Sequence, residues 1–197
     1  LEVSDPVTTS AACQLFEANI DDCLEISRCF KDLSAITEWG GEGFVFPVQQ
    51  QQFLLQLHRP DTSSYLLKQQ AATIGFGQIC QRFGKHHLAR LLVLPEARGK
   101  NLSYALLLSL ICRALQQNSK LDFSLFVFRH NTVALHCYQQ LGFKITAQPG
   151  PEHPGLYFMQ LSCDDARQLL TSRGWHFQLT AAFVSCQPQE TIHADLD

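Results

Sequence analysis

The stretch LLVLPEARGKNLSYALLLSLICRAL, residues 91–115, opens as an apolar strand and closes as an apolar helix. Between the two lie Pro95 and a polar, basic join, Arg98-Gly99-Lys100-Asn101. A strand that runs through a glycine-containing turn into a helix aims several unpaired backbone N–H groups at one point. The helix dipole adds positive potential there. Arg98 and Lys100 supply charge at the same place, and the first turn of the helix carries no acid. The join therefore reads as an anion cradle, with a plain connection between strand and helix as the alternative. Two familiar phosphate loops fail on spacing. A Walker loop needs glycine where Leu94 stands and Ser or Thr where Asn101 stands. The dinucleotide fingerprint needs three glycines, and only Gly99 is present.

Working outward, Leu102 to Gln117 is apolar nearly all round, which predicts a helix buried against a sheet. Upstream, Ser64 to Lys68, Thr73 to Phe83 and Lys85 to Leu94 read as three antiparallel strands, with Gly84 at a hairpin tip. Farther upstream, Cys13 to Ala18 reads as a strand. Helices are expected from Asp21-Asp22 through Phe30, from Leu33 to Trp39 and from about Val48 to His58. Downstream, Leu121 to Phe128 is β-rich, Asn131 to Leu141 is helical, and Lys144 to Ala147 and Leu156 to Cys163 are strands. The order βααα, βββ, αβαββ predicts an α/β or α+β fold, helices layered on a mixed sheet.

At 197 residues and 46% hydrophobic content the chain can fill one well-cored domain with an appendage. A formal charge of −3 gives no reason to expect nucleic acid or an anionic membrane as partner. No apolar run approaches the roughly 18 residues of a membrane span. Leu1 to Asp5 does not read as a signal peptide, and Met159 is the only methionine, so the true start is expected to precede Leu1. The eight cysteines never form a Cys-x-x-Cys pair, and most lie in apolar stretches. That predicts reduced, buried thiols in a cytoplasmic protein, with neither a disulfide framework nor a metal site.

Two blocks of sequence carry a resemblance. Val93-Leu94-Pro95-Glu96-Ala97-Arg98-Gly99-Lys100-Asn101-Leu102-Ser103 resembles the strand, acyl-CoA loop and helix start of the GNAT superfamily of N-acetyltransferases. Asn131-Thr132-Val133-Ala134-Leu135-His136-Cys137-Tyr138-Gln139-Gln140-Leu141-Gly142-Phe143 resembles the block that closes such domains. Glu96 and Asn101 depart from the family's loop pattern, the first by placing an acid near a pyrophosphate; Asn101 suits left-handed geometry and helix capping. The resemblance implies a GNAT-like, largely antiparallel mixed sheet flanked by helices over residues 1–163, with 164–197 as a short C-terminal extension.

It also implies a site. Acetyl-CoA would lay its pyrophosphate on the amides of Arg98, Gly99, Lys100, Asn101, Leu102 and Ser103. Its pantetheine arm would pair with Leu91, Leu92 and Val93, and Asn131 would hydrogen-bond that arm. The Val93 N–H would polarise the carbonyl, and Tyr138 would act as general acid. One branch of the family places a basic glutamate where Phe126 stands. Another places the base at the position of His87, with His86 pointing to the opposite face. Glu38 and Glu42 are further candidates. The acceptor amine, of a small molecule or a peptide N-terminus, would enter past Trp39, Phe44, Phe46 and the loop before Leu156, where three glycines suggest a mobile lip. A non-catalytic acyl-CoA-binding domain and a plain interaction module are the alternatives.

In the extension, Asp164 to Ser172 reads as a helix, and Trp175 to Thr180 alternates as a strand that would dock on a sheet edge. Docking on a second subunit would make a homodimer. From about Gln187 the composition turns polar and disorder is expected.

Overall fold

Residues 13–173 and the backbone of residues 184–185 are described by a computed structural model. The elements are β1 (Cys13–Glu17), α1 (Ile20–Ser27), α2 (Leu33–Gly40), α3 (Gln50–Leu57), β2 (Thr62–Gln69), β3 (Ala72–Arg82) and β4 (Lys85–Val93). After a 3-10 turn at Pro95–Ala97 come α4 (Leu102–Gln117), β5 (Phe123–Phe128), α5 (Thr132–Gln140), β6 (Lys144–Thr146), β7 (Leu156–Leu161), α6 (Cys163–Ser172) and β8 (Val184–Ser185). The order through β7 is the one the sequence predicts.

The strands form one sheet in the order β6-β7-β5-β4-β3-β2-β1-β8. Every pairing is antiparallel except that of β4 with β5. Both faces are covered, so β2 buries three consecutive residues rather than alternate ones. Tyr65 and Leu67 face the α4 side with Leu106, Leu110 and Ile111, while Leu66 joins Cys23, Ile36, Phe53 and Phe76 beneath α1 to α3. Helix α4 is apolar nearly all round because it packs on the sheet and also against α6.

Local chemistry sets the helix boundaries. A reciprocal capping box starts α1: the Asp22 N–H donates to Asn19 Oδ1 at 2.9 Å, and the Asn19 N–H to Asp22 Oδ2 at 3.0 Å. The helix ends at Ser27, short of the expected Phe30, which nevertheless stays buried in the core.

Helix α6 is not peripheral, since Cys163, Ala166 and Leu170 belong to the same buried cluster as α4. The expected strand at Trp175 to Thr180 and the polar end lie outside the described residues. The two residues of β8 pair with β1 of their own sheet, Gln14 opposite Ser185 and Leu15 opposite Val184. No disulfide joins the described cysteines, and no described helix is long and apolar enough to cross a membrane.

Candidate active site

Strands β4 and β5 pair only at His86↔Phe123 and His87↔Ser124. Beyond those positions β5 stays bound to β7 as far as Phe128, and β4 to β3 as far as Val93. The two strands therefore splay apart, and the facing edge of β4 has no ladder partner among the described residues. A bulge bends β4 at this point. Phe76 sits opposite Leu92 and Gln78 opposite Ala89, so Gly77 spans both Arg90 and Leu91. Arg90 takes φ 50° there. The Trp39 indole N–H on α2 donates to the Arg90 carbonyl at 2.9 Å, fixing the bulge. The splay opens a cleft of about 1350 Å³. Backbone polar groups are rarely left unpaired, so an open strand edge beside a cleft suits a ligand that brings its own amides.

The loop after β4 closes one end. Gly99 has φ 76° and Asn101 lies in the left-handed region at φ 55°, ψ 21°. Asn101 makes no side-chain cap bond to α4, contrary to the capping expectation. Such a bond needs an extended N-cap residue, and the left-handed backbone turns the side chain away. Hence the N–H groups of Gly99, Lys100, Asn101, Leu102 and Ser103 donate to no described group. Together they make a nest for an anion at the start of a 16-residue helix. Arg98 braces the loop by donating from Nε to the Val93 carbonyl at 3.2 Å. Glu96 is exposed on the 3-10 turn and does not line the cleft. The Lys100 side chain is also exposed and outside the cleft, unlike the other sequence-predicted loop and strand residues, which all line it.

The second lip is α5. Asn131 Oδ1 caps it by accepting from the Ala134 N–H at 3.1 Å, which leaves the side-chain NH2 to donate elsewhere. Tyr138 is buried and lines the cleft; its carbonyl accepts from the Leu141 and Phe143 N–H groups, while its hydroxyl bonds to no described residue. Burial, with the neighbouring Cys137 adding to it, holds the phenol pKa well above its usual value. Burial also pushes the Cys137 thiol up to about 11. At the mouth, His130 Nε2 and Glu38 Oε1 lie 3.0 Å apart and link α5 to α2.

His87 lines the opposite end at 5% exposure. Its Nδ1 shares a hydrogen bond with Ser124 Oγ at 2.9 Å, and its ring meets Phe83 and Phe126 edge-on, each at 5.5 Å. Burial first, then the guanidinium groups of Arg82 and Arg90, lower its pKa to about 4. His86 points to the other face, as alternation predicts. Its Nε2 is 2.7 Å from the Asn118 carbonyl and its Nδ1 3.1 Å from Gln81 Nε2.

The acceptor wall needs correction. Trp39, Glu38, Glu42 and Leu156 line the cleft, but Phe44 and Phe46 do not. The start of the glycine segment is tightly packed, while a Cβ on Gly41 would meet nothing. Trp39 packs among Phe30, Phe44, Phe53 and Phe76 at centroid distances of 4.7 to 6.1 Å. A Cβ on Gly40 would collide with the Phe44 ring, so the glycine is there for close packing. Sequence reasoning also missed Arg59, Arg82 and Arg90, which line the His87 end. A count of arginines around His87 would have raised Arg82 and Arg90, although only the bulge brings Arg90 to this face.

The acetyltransferase (GNAT) family pattern matches residues 33–143. No curated protein sequence gives a significant match. Among solved structures, the chain is similar in fold to spermidine N-acetyltransferase SpeG from Vibrio cholerae in complex with CoA and spermine. The identity is 18% and the TM-score 0.61, over 79% of this chain and 98% of that one. A chimera of the Vibrio cholerae enzyme with hSSAT gives 15% identity and TM-score 0.63, over 80% and 99%. A dodecameric form of that enzyme in an intermediate state gives 16% and 0.57, over 78% and 95%. At such identities the likeness is one of fold.

Proposed function

The chain belongs to the acetyltransferase (GNAT) family, and we propose that it transfers the acetyl group of acetyl-CoA to a primary amine by direct attack in a ternary complex. The amine belongs to a small molecule or a peptide N-terminus. The observation that carries this reading is the splay of β4 from β5, with unpaired loop amides at one end and Tyr138 on its wall. Bound acetyl-CoA supplies an activated acyl thioester; the chain supplies position, polarisation and protons.

The amides of Gly99 to Ser103, with the charge of Arg98, fit a pyrophosphate. The open edge at Leu91, Leu92 and Val93 fits an amide-bearing arm, with Asn131 donating to it from across the cleft. The Val93 N–H is the group to polarise the carbonyl. Tyr138 keeps its proton through the neutral range and can deliver it to a departing thiolate. His87 is unprotonated at neutral pH and can accept the amine's proton, directly or through water. With a pKa near 4 it passes that proton on rather than holding it. Cys137 remains a thiol, so an acyl-enzyme through it is disfavoured.

Initial rates measured while acetyl-CoA and an amine are both varied test the order of events. A ternary complex gives intersecting double-reciprocal lines. Parallel lines would mean a covalent acyl-enzyme, against this reading.

A further inference from the structure

Three arginines surround the His87 end of the cleft, and no described carboxylate forms an ion pair with any of them. Gln78, Cys80 and Arg82 alternate onto one face of β3, and His87, opposite Cys80, shares that face on β4. Strict alternation from His87 would send Arg90 to the other face, into the apolar layer beneath α4. The bulge turns it back. Its Nη1 donates to Gln78 Oε1 at 2.5 Å, and its guanidinium carbon lies 5.6 Å from the Phe44 ring centroid. Its Nε is buried without a hydrogen-bond partner among the described residues. Arg82 lies 4.5 Å over the Phe83 ring, and Arg59, just before β2, donates to Gln56.

A largely buried guanidinium with two like charges near it and no counter-ion among the described residues is an unfavourable arrangement. Arg90 lines the cleft. Of the acids that also line it, Glu38 is engaged by His130, and Glu42 makes no ion pair with a described residue. Nor do the phosphates of CoA account for Arg59 and Arg82. The nest at Gly99 to Ser103 follows the C-terminal end of β4, whereas Arg59 and Arg82 sit by its N-terminal end, roughly 25 Å away along the strand.

We propose that the acceptor amine carries an anionic group, a carboxylate or a phosphate, which Arg59, Arg82 and Arg90 bind at the His87 end of the cleft. The proposal rests on the transferase reading of the same cleft and narrows its acceptor. An amino acid or an aminoalkyl phosphate meets it. A polyamine does not, because a second ammonium would face three guanidinium groups. In this respect the site departs from what the spermidine enzymes of similar fold are named for acting on.

The test compares a short series of ω-amino carboxylates and aminoalkyl phosphates with the plain alkylamines and diamines of equal chain length, at saturating acetyl-CoA. An anionic acceptor should exceed its neutral counterpart by roughly tenfold or more in kcat/KM, as charge-assisted hydrogen bonds to guanidinium allow. Diamines should be poorest. The carboxylate and phosphate arms tell which anion is preferred. In Arg82→Gln, which alters an exposed side chain, and in Arg90→Gln, the anionic-to-neutral ratio should fall towards one. Alkylamines or diamines accepted as well as the anionic amines would overturn the proposal.

Direct binding separates this proposal from the transferase reading. Calorimetry on CoA-loaded protein compares an ω-acetamido carboxylate with the neutral N-alkylacetamide. Tighter binding of the anion, lost in Arg82→Gln, upholds the arginine site even if no amine is turned over, and that lack of turnover counts against the transferase reading alone. Equal or absent binding of the anion overturns the site.

Discussion

A phenol can protonate a departing thiolate only if it still holds its own proton, and burial keeps that of Tyr138 in place. Tyr138→Phe removes the hydroxyl and little else from the cleft wall. It should lower turnover by tenfold or more, about 1.4 kcal/mol, while acetyl-CoA affinity measured by calorimetry stays within about twofold. Turnover within about twofold of the parent would make Tyr138 a packing residue. His87 gives a prediction in pH. Its folded-state pKa of about 4 lies below its ordinary 6.5, so between those values the unfolded chain binds a proton that the folded chain does not. Stability is therefore present above about 6.5 and is lost as pH falls towards 4. A drop of about 2.5 in pKa corresponds to roughly 3 kcal/mol across that window. Urea unfolding at pH 7 and pH 4.5 should show a smaller loss in His87→Gln than in the parent chain, and equal losses would refute the assignment. Tyr138 and His87 could be singled out in the sequence, the first within the Asn131 to Phe143 block and the second six residues before Val93. Arg90 could not, because its face depends on a bulge that no local pattern announces.

At the scale of elements, the bulge and the loop make the cleft, and α2 holds the bulge. Trp39→Phe keeps an aromatic ring among Phe30, Phe44, Phe53 and Phe76 but removes the donor to the Arg90 carbonyl. It should cost about 1 kcal/mol in denaturant unfolding. It should also raise the acceptor's KM more than that of acetyl-CoA, because the loosened segment carries Arg90 and not the phosphate loop. An equal rise in both would mean that Trp39 supports the whole cleft and not its acceptor end. Strands and helices were readable here because apolar runs and turn signals are strong: the bounds of α4 match the sequence reading residue for residue, and β3 begins and ends one residue earlier than expected. The places that resisted reading are those where tertiary contacts decide. Asn101 gives up a cap bond to hold the left-handed turn. The glycines after Trp39 resemble a hinge in sequence, yet Gly40 is pressed against Phe44.

Over the whole molecule, the sheet is covered on both faces and splays at its parallel pair, so the cleft is a consequence of the topology. The two sequence blocks that carry the family resemblance sit on its two sides: the loop and α4 after β4, and α5 after β5. That is why the fold and the loop-bearing end of the cleft could be anticipated from motifs, while the opposite end, built from β2, β3 and α2, could not. Helix α6 extends the same core, and β8 reaches the β1 edge of its own sheet. The central claim is that this cleft moves an acetyl group to an amine. The most direct check is to incubate the protein with isotopically labelled acetyl-CoA and an amine panel that includes ω-amino carboxylates, and to follow products by mass. The expected result is a labelled acetamide formed in step with free CoA thiol, and abolished when Tyr138→Phe is combined with His87→Ala. Tight binding of acetyl-CoA with no labelled acetamide from any amine would contradict it and leave a binding domain in its place.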